Sequence, residues 1–139
     1  MLELVLPFKP VPCERARSNR GIVHDTPRNR AVKAHIARLW QITHHGVSPI
    51  PAGRPVMLTL DFRFERPAKH WVAGRKGGEL RADAPRWHTN KPDADNLEKL
   101  VKDGLNKIAW ADDAQVAVVR KQKTWTAGES CTILTVREL

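Results

Sequence analysis

The sequence has few cysteines and no long apolar run. Only Cys13 and Cys131 occur in 139 residues, too few for the framework of a disulfide-stabilised secreted domain or for a zinc knuckle. No stretch is apolar for the ~20 residues needed to cross a bilayer, and residues 1–10 lack the basic start and long apolar run of a secretory signal. We therefore expect a cytoplasmic protein with free thiols and no membrane partner.

Acidic residues are scarce relative to basic ones. The chain contains 24 Lys and Arg but 15 Asp and Glu, which gives a formal net charge of +9 and a pI near 10.2. Such a balance attracts polyanions through counterion release and a long-range field, so nucleic acid is the expected partner. The composition also fits a basic protein without such a partner, and it does not say whether a bound nucleic acid would be cut.

The order of the periodic segments predicts one α+β domain over residues 1–139. Strands are predicted at 2–6, 56–64, 115–123 and 130–137, and the second of these alternates cleanly between apolar and polar residues. A first helix should have Thr26 as its N-cap and Pro27 in its first turn and carry an apolar face as far as Thr43, and a second helix fits residues 95–108. This order favours a mixed sheet with two main helices packed on it.

Two segments lack periodicity and are rich in basic residues. Residues 14–25 are expected to form a short basic loop, and residues 65–92 a long one that contains Trp71 and Trp87. The six histidines show no metal-ligand spacing, so surface or structural roles are expected for them.

An acidic cluster interrupts this basic chain. Asp93 and Asp95 are separated by one residue at the start of the second predicted helix, and Asp113 precedes the next predicted strand. Hydrolysis of a phosphodiester is assisted by a divalent ion that neutralises phosphoryl charge and lowers the pKa of the attacking water. Because Mg²⁺ prefers hard oxygen ligands, these three aspartates form a candidate metal site.

Lys99 lies one helical turn after Asp95, on the same predicted face. With a reference pKa of about 10.4 it should be protonated, which favours stabilisation of transition-state charge over a general-base role. Ordinary structural roles are equally open at this point: helix capping by Asp93 or Asp95, surface pairs between Lys99 and Asp95 or Asp103, and turn formation by Asp112 and Asp113.

Taken together, the segment KPDADNLEKLVKDGLNKIAWADDAQV at 91–116 resembles the signature of RusA-type Holliday junction resolvases. That signature runs Pro-Asp-x-Asp-Asn, then Lys, then Asp-x-Leu, then Asp-Asp-x-Gln-Val, and the segment keeps both its order and its spacing. The resemblance implies that Asp93, Asp95 and Asp113 are the essential acidic residues and metal ligands. It also implies that Lys99 is the catalytic lysine.

The resemblance further implies an Mg²⁺-dependent endodeoxyribonuclease, with Mn²⁺ as a substitute ion, that acts on four-way junction DNA in recombination and repair. Similar proteins are homodimers that nick two opposed strands symmetrically and leave 5′-phosphate ends. A two-fold symmetric dimer suits this task because the junction has approximate two-fold symmetry. We also expect a prophage or phage origin and no small-molecule cofactor.

The basic segment 65–92 is longer than in the most compact members of that family and is expected to contact DNA. Its candidate phosphate-binding residues are Arg75, Lys76, Arg81, Arg86 and Lys91. Trp71 or Trp87 fits either stacking on an unpaired base or packing beneath the loop. Two other functions stay open: a non-catalytic DNA-binding protein, and a metal nuclease acting on other branched DNA.

Overall fold

The computed structural model describes residues 1–139. Its strands and helices, in chain order, are β1 (Leu2–Leu6), β2 (Arg17–Asn19), β3 (Ile22–His24), α1 (Pro27–Thr43), β4 (Val56–Glu65), α2 (Ala94–Leu105), β5 (Val116–Thr126) and β6 (Cys131–Glu138). Three single-turn 3₁₀ helices lie at Ala68–His70, Val72–Gly74 and Asp113–Gln115.

Four of the strands form one mixed sheet in the order β1-β6-β4-β5. The β1–β6 and β6–β4 pairs are antiparallel, whereas β4 and β5 are parallel. A parallel pair needs a long crossover connection, and the chain from 66 to 115, which includes α2, provides it. The predicted α+β domain with two main helices on a mixed sheet is therefore confirmed.

The hydrophobic core lies between this sheet and the two helices. β4 supplies its centre because alternate residues, Val56, Leu58, Leu60, Phe62 and Phe64, all point to the helical side and are buried. The helices add Ile36, Trp40, Leu97, Leu100, Val101 and Leu105. No helix of the structure combines the length and apolar character that a membrane crossing requires.

The two helices approach closely near the end of α2. A Cβ atom at Gly104 would lie 3.1 Å from the Cβ of Ile36 and 3.3 Å from the carbonyl oxygen of Lys33. Glycine at this position lets α1 and α2 pack at short range. The predicted start of α1 is also confirmed, because the Thr26 hydroxyl accepts a hydrogen bond from the Asn29 N–H at 3.1 Å.

Two predicted boundaries near the site need correction. α2 ends at Leu105 and not at 108, because Lys107 adopts a left-handed φ of +66° that an α-helix does not accommodate. β5 runs to Thr126, three residues further than predicted. Its last residues pair with the basic segment through two backbone hydrogen bonds of 3.0 Å. The His88 N–H donates to the Lys123 carbonyl, and the Trp125 N–H donates to the Arg86 carbonyl.

The segment 14–25, expected as a loop, forms a β-hairpin instead. β2 and β3 pair antiparallel, and the turn between them places Arg20 at φ +52° and Gly21 at φ +76°. Two successive positive φ values are the geometry of a type I′ hairpin turn. The pattern gave no signal for it because both strands are three residues long and entirely exposed.

Candidate active site

The N-terminal end of α2 carries the first predicted site residue. Asp93 occupies the N-cap position with extended backbone, yet its carboxylate makes no capping hydrogen bond. The chain just before it is fixed by the Lys123 ammonium, which donates to the carbonyls of Asn90 (2.6 Å) and Pro92 (2.7 Å). The backbone at Asp93 is therefore held in place while its carboxylate stays free of the helix.

Asp95 lies in the first turn of α2, with 88% of its side chain exposed. Its partner is Lys121 of β5, whose ammonium also donates to Glu98 at 2.8 Å. This hydrogen bond and charge hold the pKa of Asp95 below its usual value. Partial burial alone would lower the pKa of Lys121, but the two carboxylates outweigh it and raise that pKa. The alternative pairing of Asp95 with Lys99 is not formed.

Lys99 lies on the wall of a cavity beside the same end of α2. The cavity, of about 560 Å³, is lined by Lys99 and Asn96 on the helix and by residues 13–16 on the chain that precedes β2. A backbone hydrogen bond of 3.0 Å from Cys13 to the Asn96 carbonyl joins the two walls. Arg15 and Glu14 also line the cavity, and because the Glu14 carboxylate pairs with Arg28 at 2.7 Å, the cations Lys99 and Arg15 stay uncompensated on its wall. The arrangement suits an anionic group such as a phosphate.

Asp113 lies in the 3₁₀ turn that leads into β5. The indole N–H of Trp110, a fully buried residue, donates to its carboxylate at 2.8 Å. The adjacent Asp112 has a structural role, since its carboxylate accepts from the Ala114 N–H while the Gln115 side chain accepts from the Asp112 N–H, both at 2.8 Å. This reciprocal cap fixes the turn and thereby the position of Asp113.

Asp113 lies near the opposite end of α2 from Asp93 and Asp95. The pKa of Asp103, in the last turn of α2, is raised by burial of its carboxyl first and then by the neighbouring Asp113 and Asp25, with Lys33 and Lys99 opposing. The position of Asp113 follows from Trp110, whose indole donates to it and whose backbone forms a β-bridge with Asn106 directly after α2. Asp95 and Asp103 are eight positions apart, which at 1.5 Å per residue is about 12 Å along the helix axis.

The donor chemistry of the predicted aspartates suits Mg²⁺, but one chain does not group them. No three His, Cys, Asp or Glu side chains in the structure lie close enough together to hold a metal ion. The oxygen-only ligand set is the kind that hard divalent ions prefer. A single chain thus presents the two parts of the expected site, Asp93 with Asp95 and Asp113, at separate places.

The five predicted DNA-binding cations are all exposed. Two have acidic neighbours, with Arg81 at 3.2 Å from Asp83 and Lys76 at 4.0 Å from Glu65. The two tryptophans of the segment differ in role. Trp71 is 5% exposed and packs beneath the segment, whereas Trp87 is 49% exposed, with the Arg86 guanidinium 4.7 Å from its ring centre. Only Trp87 has the exposed ring face that base stacking requires.

Two of the histidines take structural positions under the same segment. His88 stacks on Phe64, with ring centres 4.0 Å apart, and both His88 and His70 contact Trp125. Burial lowers the pKa of each of these histidines. They are therefore neutral packing groups at neutral pH.

Comparison with known proteins identifies the family of the chain. A family model described as "Endodeoxyribonuclease RusA" matches residues 7–136, nearly the whole chain. The chain belongs to the RusA endodeoxyribonuclease family. It is also 31% identical over 115 residues to "Uncharacterized protein YqaN" of Bacillus subtilis (strain 168), which covers 81% of this chain and 78% of that protein. Membership of the RusA family supports a Holliday junction endodeoxyribonuclease.

Sequence reasoning missed the β5 lysines that organise the RusA signature helix. In the parallel pairing Lys121 lies beside Leu60 and Lys123 beside Phe62, which places both lysines on the helical side of the sheet. Their positions could have been noticed, because cations at core-facing positions of a strand need polar partners. Which carboxylate or carbonyl serves as partner depends on where α2 lies across β5.

Proposed function

We propose that the chain is an Mg²⁺-dependent endodeoxyribonuclease that resolves four-way DNA junctions by paired, symmetric nicks as a homodimer. The observation that carries this proposal is the family match over residues 7–136, which includes the acidic signature at 91–116. The formal charge of +9 supports a DNA partner. Cleavage that leaves 5′-phosphate ends is part of the same proposal.

The exposed carboxylates of Asp93 and Asp95 and that of Asp113 are the proposed metal ligands. When bound, a divalent ion supplies charge neutralisation at the phosphoryl oxygens and a lowered pKa for water. The chain's own contribution is to hold Asp93 through the fixed backbone at Pro92 and to set Asp113 through the Trp110 indole. Lys99, in the cavity shared with Arg15, is proposed to stabilise negative charge on the phosphate.

The separation of the aspartates within one chain supports the proposed homodimer. Asp113 lies near the C-terminal end of α2 and Asp95 in its first turn, and no three acidic side chains of one chain lie close enough to hold an ion. We therefore propose that the three carboxylates meet at one ion across two chains. A two-fold axis can place Asp113 of one protomer next to Asp93 and Asp95 of its partner. The same symmetry then creates a second, equivalent site. Two equal sites then face a junction that has the same approximate symmetry.

A mixing experiment tests this arrangement. Asp95→Asn and Asp113→Asn should each be inactive alone, because each removes a ligand from both sites of a homodimer. In a mixed dimer one site would lose both ligands while the other keeps both. Because random assortment makes about half of the dimers mixed, and each mixed dimer keeps one intact site of two, about a quarter of the wild-type number of sites is restored. The products should be single nicks in labelled junctions. No restoration would show instead that each site is built within one chain.

Substrate and metal dependence need a separate assay. Labelled four-way junction, linear duplex and flap DNA would be incubated with the wild-type protein in Mg²⁺, in Mn²⁺ and in EDTA. Paired nicks in the junction alone, absent in EDTA, are expected. Equal cutting of all three substrates would contradict junction selectivity. Binding of DNA without cleavage under every condition would favour a non-catalytic DNA-binding protein.

A further inference from the structure

The β2–β3 hairpin is exposed along its whole length. Every residue from Arg17 to His24 is exposed, and the apolar side chains of Ile22 and Val23 are 61% and 71% exposed. A two-stranded hairpin is at best marginally stable in water without further packing. Ile22 and Val23 are consecutive in β3, so each face of the ribbon exposes one apolar side chain, which indicates that both faces act against a partner.

The charge on this hairpin has one sign. Arg15, Arg17 and Arg20 form no ion pair in the structure. The two acidic residues that flank the hairpin are neutralised by α1, since Glu14 pairs with Arg28 at 2.7 Å and Asp25 pairs with Lys33. The hairpin thus presents uncompensated positive charge, which is complementary to a polyanion and repels a second copy of itself.

The hairpin also begins directly beside the proposed active site. Residues 13–16, immediately before β2, line the cavity that contains Lys99, and Cys13 is hydrogen-bonded to the Asn96 carbonyl of α2. A DNA strand held at Asp93, Asp95 and Lys99 would therefore pass the base of the hairpin.

We propose that the β2–β3 hairpin is a DNA-binding β-ribbon that contacts the junction beside the cleavage site; this inference rests on the proposed function. Arg17 and Arg20 bind backbone phosphates, and Ile22 and Val23, on opposite faces of the ribbon, each pack against bases at the branch point. Phosphate contacts are the same on any duplex. Apolar side chains gain contact with base faces only where the bases are unstacked, as at a branch point.

Binding measured without divalent ions isolates this inference from catalysis. Fluorescence anisotropy in EDTA would compare a four-way junction with a linear duplex over a range of salt concentrations. The variants are Arg17→Gln/Arg20→Gln and Ile22→Ser/Val23→Ser. The control, Arg38→Gln/Arg137→Gln, removes the same charge from exposed positions outside the hairpin. Because all six positions are exposed, the melting temperature should not change, and its measurement confirms that each variant folds.

The two hairpin variants should differ from each other. Arg17→Gln/Arg20→Gln should weaken binding to both DNAs and reduce the slope of log affinity against log salt by about 1.8, or 0.9 per lost phosphate contact. Ile22→Ser/Val23→Ser should keep the slope but lose about tenfold in junction affinity, with little change on duplex. The control should keep the junction preference of the wild type.

Other outcomes overturn the inference in distinguishable ways. If the wild-type protein binds neither DNA, both the proposed function and this inference are wrong. If the wild type binds the junction and both hairpin variants bind it equally well, the hairpin inference alone is overturned. If Ile22→Ser/Val23→Ser dissociates a dimer in analytical ultracentrifugation and leaves DNA binding per protomer unchanged, the hairpin is a protein interface and the DNA assignment is wrong.

Discussion

The two ends of α2 differ in how they hold their carboxylates. At the N-terminal end, Asp95 is exposed and its pKa is lowered by the Lys121 ammonium. At the C-terminal end, partial burial and neighbouring carboxylates raise the pKa of Asp103, and Asp113 is fixed by the buried Trp110. One end pairs its acid with a cation, whereas at the other end the carboxyl of Asp103 is influenced by further carboxylates, Asp113 and Asp25.

This difference fits the proposal that one short helix serves both folding and function. The C-terminal end contains Gly104, Leu105 and the nearby Trp110, which close the core between α1 and α2. The exposed side chains at the N-terminal end, Asp93, Asp95 and Lys99, can exchange partners with ions or phosphates. If the site is shared across a dimer, each ion would draw ligands from both kinds of environment. The predictions below test the two ends against each other.

The largest expected effect is the loss of cleavage at the N-terminal end. Asp95→Asn should reduce junction cleavage to background, because even residues outside a metal's coordination sphere contribute 10- to 100-fold. The matched variant at the other end, Asp103→Asn, should keep cleavage within a few-fold, since the raised pKa shows that its surroundings already disfavour the charge. Single-turnover cleavage of labelled junction measures both. Equal loss in the two variants would remove the functional distinction between the ends.

The next effect is on stability, at the C-terminal end. Trp110→Ala should reduce the free energy of unfolding by about 3–5 kcal/mol, because it opens a cavity in the core and removes the hydrogen bond to Asp113. Trp87→Ala is the control, since this half-exposed ring should cost about 1 kcal/mol or less. Urea unfolding followed by circular dichroism measures both. A small cost at Trp110 would show that the C-terminal end is loosely packed.

A smaller loss is expected where the helices approach each other. Gly104→Val should destabilise the protein by about 1–3 kcal/mol, because its side chain would overlap Ile36 and the Lys33 carbonyl. Gly128→Val, in an open position near the end of β5 where a Cβ meets only the Thr126 hydroxyl at 3.9 Å, is the control. Thermal unfolding compares the two. Equal effects would mean that the close contact of α1 and α2 contributes nothing specific.

The smallest expected effect is an opposite pH dependence at the two ends. The lowered pKa of Asp95 adds stability above the ordinary value of about 3.9, which is lost as the pH falls through the folded-state pKa. The raised pKa of Asp103 adds stability below about 3.9, which is lost as the pH rises through its folded-state pKa. Relative to wild type, Asp103→Asn should therefore gain stability as the pH rises from 3 to 7, and Asp95→Asn should lose it.

Lys121→Met supplies the control for this pH comparison. It removes the ammonium that lowers the pKa of Asp95, so the carboxyl should return toward its ordinary value. An NMR titration of the Asp95 side-chain carboxyl carbon measures the change directly. An unchanged pKa in this variant would show that Lys121 is not the cause of the shift.

Most of the fold was predictable because it depends on local periodicity. The alternation at 56–64 identified β4, and Thr26 with Pro27 located the start of α1. One error has a local cause and the other a non-local one. The hairpin at Arg17–His24 has no buried face to mark it, and the three extra residues of β5 are held by pairing with residues 86–88 from elsewhere in the chain.

The candidate site was predictable in its residue types but not in its assembly. The signature identified Asp93, Asp95, Asp113 and Lys99, and their chemical suitability for a metal and a phosphate follows from residue type. Nothing in the spacing showed that Lys121 would pair with Asp95, or that Asp113 would lie near the C-terminal end of α2. Both facts depend on α2 running back along β5, which joins residues far apart in the sequence.

The sequence by itself determined the family, the α+β class and the acidic residues set in a basic chain, because composition, period and motif order are properties of neighbouring residues. Only the tertiary structure decided which cation neutralises which carboxylate and how far apart the aspartates lie. Those outcomes follow from the packing of α2 on the sheet, where contacts between distant segments and the length of the helix set every separation.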